Sequence, residues 1–219
     1  LFPYTTLFRS VDVVSSALDF ILPFEKYKIT AGAKVSFTNT RNGINYDTSD
    51  PTLVQDDYFR YKEQIYALYA DYSREFSERF SMQLGLRMEH TRTTGISEAK
   101  DTEDKHDYTR LFPTVYLLYS PTDGHALNFS FSNRISRPSQ NMVNPFPFYQ
   151  NKYTYACGRE DLKPSYTYNA ELGYTLKNNF NVSAYYSYSD DVFFQVVDLD
   201  AETNVTSFLW ENFMQTHAF

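Results

Sequence analysis

Between Arg79 and His90 the chain alternates apolar and polar residues without a slip. Phe80, Met82, Leu84, Leu86, Met88 and His90 fall on one side; Arg79, Ser81, Gln83, Gly85, Arg87 and Glu89 fall on the other. A period of two is that of a strand with one apolar face. The pattern recurs. Leu127, Phe129, Phe131 and Ile135 oppose Asn128, Ser130, Ser132 and Arg134. Tyr166, Tyr168, Ala170, Leu172, Tyr174 and Leu176 oppose Thr167, Asn169, Glu171, Gly173 and Thr175. Phe180, Val182, Ala184, Tyr186 and Tyr188 oppose Asn181, Ser183, Tyr185 and Ser187. "YKITAGAKVSFTN" and "RLFPTVYLLYS" alternate less cleanly but lack helical spacing.

The segments between these runs alternate in length. Short polar turns are expected near 74–79, 120–125 and 176–179, and long polar loops near 40–57, 92–107, 137–163 and 198–205. Short and long connections in turn describe an antiparallel up-and-down meander whose two ends face different compartments. Roughly nine or ten strands are expected, against ~4–6 in an ordinary sheet. Part of the 137–163 loop is expected to curl into a helix.

Strand length chooses the solvent. Strands of soluble sheets cluster at ~5–6 residues, whereas these runs extend over about twelve, which at ~3.3 Å per residue and ~40° of tilt climb roughly 30 Å. That is enough to cross the ~25 Å apolar band of a membrane barrel. Tyr166, Tyr168, Tyr174, Tyr186 and Tyr188 fall towards the ends of their outward faces, where a ring with a polar tip suits the headgroup region. The expected fold class is therefore all-β, part of a transmembrane β-barrel that forms an open curved sheet or incomplete barrel.

Composition agrees. There are 20 Tyr and 19 Phe among 219 residues, with 7 Gly, a bias towards pleated, half-buried surfaces. No run approaches the ~18 apolar residues of a membrane helix. The net charge of −7 comes without a basic stripe, so no nucleic-acid partner is expected. The single Cys157 excludes an internal disulfide framework and a cysteine-only zinc site. "LFPYTTLFRS" resembles translated sequencing-adapter DNA. Residues 1–10 are accordingly read as a non-native leader, and 11–219 as a barrel portion truncated at both ends.

The stretch 132–191 carries a family resemblance. "SRPS" with Arg137 and Pro138, "NPF" at 144–146, "NKYTY" at 151–155 and "LKPSYTYNAELGY" at 162–174 follow one another in order. The sequence resembles outer-membrane β-barrel proteins related to TonB-dependent receptors, of the type that begins with a carboxypeptidase-regulatory-like domain and a plug. "RFSMQLGLRMEHTRTTG" and "RLFPTVYLLYSP" fit the preceding hairpins. At "ACGREDLKP" the chain departs from the family's Gly-Asn-Pro-like turn. The resemblance implies location in the outer membrane, contact with its lipid, and uptake of a large nutrient ligand. It also implies a plug and a TonB-type energiser reached through other parts of a longer chain. A structural or adhesive barrel that transports nothing is the alternative.

Candidate chemistry is sparse. No phosphate loop, nucleophile elbow or paired-cysteine motif is present, so no catalytic residue, cofactor or metal site is assigned. His90 and His106 flank the acidic stretch with Asp101, Glu103, Asp104 and Asp107. A hydrolase would use such rim acids, but "KDTEDKHD" lacks the spacing of a calcium loop and reads as a solvated loop. Arg79, Arg87, Glu89, Arg134 and Glu171 are the lumen-facing candidates for ligand contact or for paired charges lining water. Phe146, Phe148, Tyr149, Tyr153 and Tyr155 are the loop aromatics. They either stack on sugars or peptides at the mouth or pack the loop onto itself.

Overall fold

The computed structural model describes residues 4–47, 56–98, 101–177 and 179–219. Nine long strands follow one another as β1 (Tyr4–Pro23), β2 (Tyr27–Asp47), β3 (Asp56–Ser77), β4 (Phe80–Ser97), β5 (Thr102–Tyr119), β6 (His125–Ser136), β9 (Ser165–Leu176), β10 (Phe180–Asp200) and β11 (Val205–Ala218). Between β6 and β9 the chain inserts a short helix, α1 (Gln140–Val143), and two four-residue strands, β7 (Phe148–Asn151) and β8 (Thr154–Cys157). All strands join one sheet in the order β1-β2-β3-β4-β5-β6-β9-β10-β11-β8-β7. Every long neighbour is antiparallel, and β8 alone pairs parallel, Thr154–Cys157 against Thr206–Leu209 of β11. The sheet is open, with β1 at one edge and β7 at the other.

The alternation seen in the sequence holds across strands. Leu84 and Leu86 lie opposite Tyr72 and Ala70 of β3 and opposite Val115 and Pro113 of β5. Phe129 lies between Leu117 and Leu172. Leu68, Leu86, Leu111 and Leu172 are all more than half exposed or close to it on this outer face, a continuous apolar surface that water does not tolerate and lipid does.

Aromatic rings bound that surface above and below. At the short-turn end Phe24 stacks on Tyr27 at 4.4 Å, Phe76 meets Phe80 at 5.3 Å, and Phe80 meets Tyr119 at 6.4 Å. At the other end Tyr66 meets Phe37 at 5.9 Å and His90 at 6.3 Å, while Tyr188 meets Tyr168 at 6.1 Å and His217 at 5.1 Å. Ten residues separate Phe76 from Tyr66 and Phe80 from His90, a climb of about 25 Å along tilted strands. The membrane-spanning part of β3 and β4 is thus 66–76 and 80–90.

Beyond the second girdle the strands continue, and here three expectations fail, the loop near 198–205 being a turn between Asp200 and Val205. The stretch 92–107 is not a long loop: β4 and β5 stay paired from Phe80↔Tyr119 to Ser97↔Thr102. Its charges match across the ladder on the outer side, with Arg92 Nε 2.9 Å from Asp107 Oδ2. Alternating charge in an acidic run reads as loop, but here it belongs to a paired hairpin beyond the membrane. Likewise, β2 runs to Asp47 and β3 starts at Asp56, so the connection expected over 40–57 is confined to 48–55, which lies outside the described residues.

The inner face is polar and closely fitted. Tyr69 crosses over Gly32, where a Cβ would lie 2.6 Å from the ring, and its hydroxyl donates to the Asp19 carboxylate. Tyr168, Tyr174, Tyr186 and Tyr188 face outward as expected. Tyr166 does not: it is 8% exposed, with the Arg110 guanidinium 4.7 Å above its ring. Pairing of β5 with β6 stops at Thr114↔Ser132, and above that point Arg110 of β5 lies over Tyr166. A bulge between Ser189 and Val192, with Asp191 at φ 52°, shifts the register of β10 just above it.

Candidate functional site

The segment 137–164 folds back across the concave face. Val143 and Leu162 bury with Phe59 of β3, and Tyr61, Met142, Phe193 and Trp210 pack around them. Phe146 buries with Tyr149 beside it. Among the described residues the buried apolar clusters lie beneath this loop. Among the described residues no second sheet covers the Leu84/Leu86 or Phe129/Phe131 side.

Its turns require close backbone approach. Gly158 N donates to Asn144 O at 2.8 Å and Arg159 N to Met142 O at 2.7 Å. A Cβ on Gly158 would stand 2.3 Å from Asn144 O and 2.7 Å from Met142 O, so only glycine fits there. This is the place where the sequence departs from the family turn; Gly158 directly follows Cys157, whose Sγ donates to Pro145 O at 3.0 Å.

A charge cluster fastens the loop where it leaves β6. Arg137 Nη2 donates to Glu89 Oε1 at 2.8 Å and to Thr91 Oγ1 at 3.2 Å, and Arg87 Nε and Nη2 donate to Glu89 Oε2 at 3.0 and 2.8 Å. Arg137 Nε lies 3.6 Å from Glu63 Oε1, an ion pair too long for a hydrogen bond. Glu63 sits three residues beyond the Tyr66 girdle. Burial raises its carboxyl above the usual range, and Arg137 opposes that rise. One loop cation is thus shared by two strand carboxylates in a poorly solvated place.

Under the loop lies a cavity of about 370 Å³ between β3–β5 and segment 160–166. It carries both signs of charge: Glu63, Asp104, Asp191, Arg110, Arg137 and Lys163 all reach its wall. His106 Nε2 is 2.7 Å from Asp104 Oδ2 and 3.3 Å from Glu160 O. Thr93 supplies a hydroxyl to the same wall. Outside this lining, Arg159 bridges Asp161 and Glu211, and the bond from Arg159 holds the Asp161 carboxyl below its ordinary range.

The lumen candidates are dispersed. Arg87 and Glu89 meet, as described, and Glu89 is 5% exposed. Arg79 sits in the β3–β4 turn with Nη1 donating to Pro121 O at 3.1 Å. Arg134 lies opposite Thr167 near the loop end of β6, and Glu171 lies between Ser130 and Tyr185 lower down. Of the aromatics, Phe146 is buried, Tyr149 and Tyr155 are half-buried with ring centroids 5.5 Å apart, and Phe148 and Tyr153 are exposed. The loop thus packs part of the set and presents the rest. Arg137, which the "SRPS" motif marks for the resemblance and not as a site residue, and Glu63, which shares the inner side of β3 with Tyr61, Ile65 and Ala67, complete the cluster.

The family model for the outer membrane protein beta-barrel family matches residues 5–219. No curated protein sequence matches. Among solved structures, the copper transporter OprC superposes with a TM-score of 0.71 at 12% identity, over 95% of this chain and 34% of that one. The siderophore receptor PirA from Acinetobacter baumannii gives 0.61 at 12% identity, over 96% and 33%. The Serratia marcescens hemophore receptor HasR gives 0.61 at 12% identity, over 97% and 38%. The chain spans about a third of the length of these proteins, and at such identity they share its fold. Alternating strands, paired girdles and an inward-folded loop converge with the family match: the chain belongs to the outer-membrane protein β-barrel family and resides in the outer membrane.

Proposed function

We propose that the chain is the ligand-admitting part of a receptor barrel that takes up a large nutrient across the outer membrane. In this reading the short turns face the periplasm and the long strand extensions face outward. A plug and a TonB-type energiser act through parts of the natural protein beyond these residues. The supporting observation is the segment 137–164, which lies over the lumen at the loop end and is held by Arg137 on Glu89 and Glu63. A barrel serving only as a scaffold or adhesin has no need to roof its own lumen with a charged fastening.

Whole cells making the natural protein test this. They are offered copper, a ferric siderophore, haem and labelled neutral oligosaccharides, with and without a protonophore. The expected result is that at least one probe enters only when the gene is present, and that its entry stops when the proton gradient is collapsed. If the barrel is present in the outer membrane and entry of every probe is independent of it, the uptake reading fails.

A further inference from the structure

The outer side of the sheet changes character above the loop-end girdle. Arg41, Arg60, Lys62 and Arg92 are all exposed there, and the register gathers them on three neighbouring strands. Arg41 of β2 lies directly opposite Arg60 of β3, while Lys62 lies opposite Asn39 and Thr94. Gln64, opposite Arg92, is two positions from Lys62, so each cation has another across the ladder or one diagonal step away. All four share the side of Tyr66 and Leu68, which faces the bilayer lower down, and not the inner side of Glu63 and Ala67.

Charges of one sign placed in this way repel, and most of them lack an acid. Arg92 Nε has Asp107 Oδ2 at 2.9 Å, and Lys105 on β5 is taken by Glu103 at 2.9 Å. Among the described residues no carboxylate forms an ion pair with Arg41, Arg60 or Lys62, although Asp12 faces the same side of β1 opposite Asn39. Height selects the partner. Lys62 and Arg60 stand four and six residues past Tyr66, about 10 and 15 Å further up a tilted strand. Long cationic side chains bend back towards a membrane surface, with the stem on apolar ground and the charge at the headgroups. A nutrient crossing the lumen passes the opposite side of these strands, so the charges meet the lipid beside the barrel. Guanidinium forks suit phosphate oxygens in particular.

We propose that Arg41, Arg60 and Lys62 form a docking patch for a phosphate-bearing lipid of the outer leaflet, an assignment that rests on the outward orientation of the strand extensions given above. Arg41 and Arg60 grip its phosphate across the β2–β3 ladder, which relieves their mutual repulsion, and Lys62 adds a contact nearer the acyl chains. Bound there, the lipid braces from outside the same stretch of β3 whose inner side holds Arg137 through Glu63.

For the test, the natural protein is reconstituted in phosphatidylcholine nanodiscs doped with bisphosphorylated lipid A, or with the same lipid after removal of both phosphates. Lipid retained through mild detergent extraction is counted. Each cation at an anionic lipid surface gives about a fivefold gain in affinity, so the phosphorylated form is retained more than about tenfold over the other. Arg60→Gln combined with Lys62→Gln removes most of that preference. Arg41→Gln alone lowers it about fivefold, which keeps the test sound if the double variant does not insert. Lys34→Gln, on the inner side opposite Ala67, leaves it unchanged. Equal retention of the two lipids by the natural protein overturns the assignment, as does a preference that survives the double variant or falls equally with Lys34→Gln. Displacement of the lipid by millimolar inorganic phosphate also overturns it, because the patch would then be a site for a free anion. Retention needs neither nutrient nor proton gradient, and a nanodisc offers lipid at both ends of the barrel. Failure here is therefore distinct from failure of uptake or of the orientation.

Discussion

Arg137→Ala releases the loop. The substitution leaves Glu63 and Glu89 on neighbouring strands with their shared cation gone, Glu89 retaining only Arg87. Removing one partner of a buried pair costs about 3–5 kcal/mol, and the lower figure applies because the Arg137 side chain keeps 21% exposure. That corresponds to an increase of about a hundredfold in the open population of segment 137–164. Limited proteolysis of the natural protein in outer-membrane vesicles reads it directly: cleavage within 137–164 accelerates by that factor while the strands stay protected. Adding Glu63→Gln removes the carboxylate left without a cation and recovers part of the loss, a coupling that a double-mutant cycle measures. Unchanged protease protection in Arg137→Ala would show that the apolar contacts of Val143 and Leu162 hold the loop unaided.

Leu86→Arg is the second large effect. Leu86 sits midway between the Phe80 and His90 girdles, half exposed on the outer face. An arginine at the bilayer midplane of a barrel costs about 2–4 kcal/mol. Gln83→Arg, three residues away on the inner face and opposite Ser73 and Tyr116, meets the polar lumen, where a charge is not penalised in this way. Urea unfolding of the natural protein from lipid vesicles separates the two. The midpoint falls strongly for Leu86→Arg and little for Gln83→Arg. Equal losses would mean that both faces see the same medium.

The parts of this structure that were legible in the sequence are those governed by period two. Phe80 to His90 and Leu127 to Ile135 state their facing directly, because lipid on one side and water on the other impose opposite demands on successive residues. Beyond the membrane that contrast vanishes. Arg92, Glu103, Lys105 and Asp107 are polar on the outer side of a strand that still pairs, and polarity alone does not distinguish a hairpin in water from a loop. Tyr166 kept its parity but lost its lipid, since the end of β5–β6 pairing and the β10 bulge are set by neighbours distant in sequence. The charge cluster was hidden for the same reason. Glu63, Glu89 and Arg137 come from three separate segments, and only the fold of 137–164 brings them within 3.6 Å of one another through Arg137. Of the candidate site, individual residue types were readable; their assembly was not.

Quenching of a single tryptophan by brominated lipid tests most directly which side of the sheet meets the bilayer. In the natural protein with its other tryptophans replaced by phenylalanine, the probe is placed at Leu86 or Phe129, or at Gln83 or Ser130. Strong quenching at 86 and 129 with little at 83 and 130 is the expected outcome. Quenching at 83 and 130, or none at 86 and 129, would contradict the assignment of the Leu86/Phe129 face to lipid.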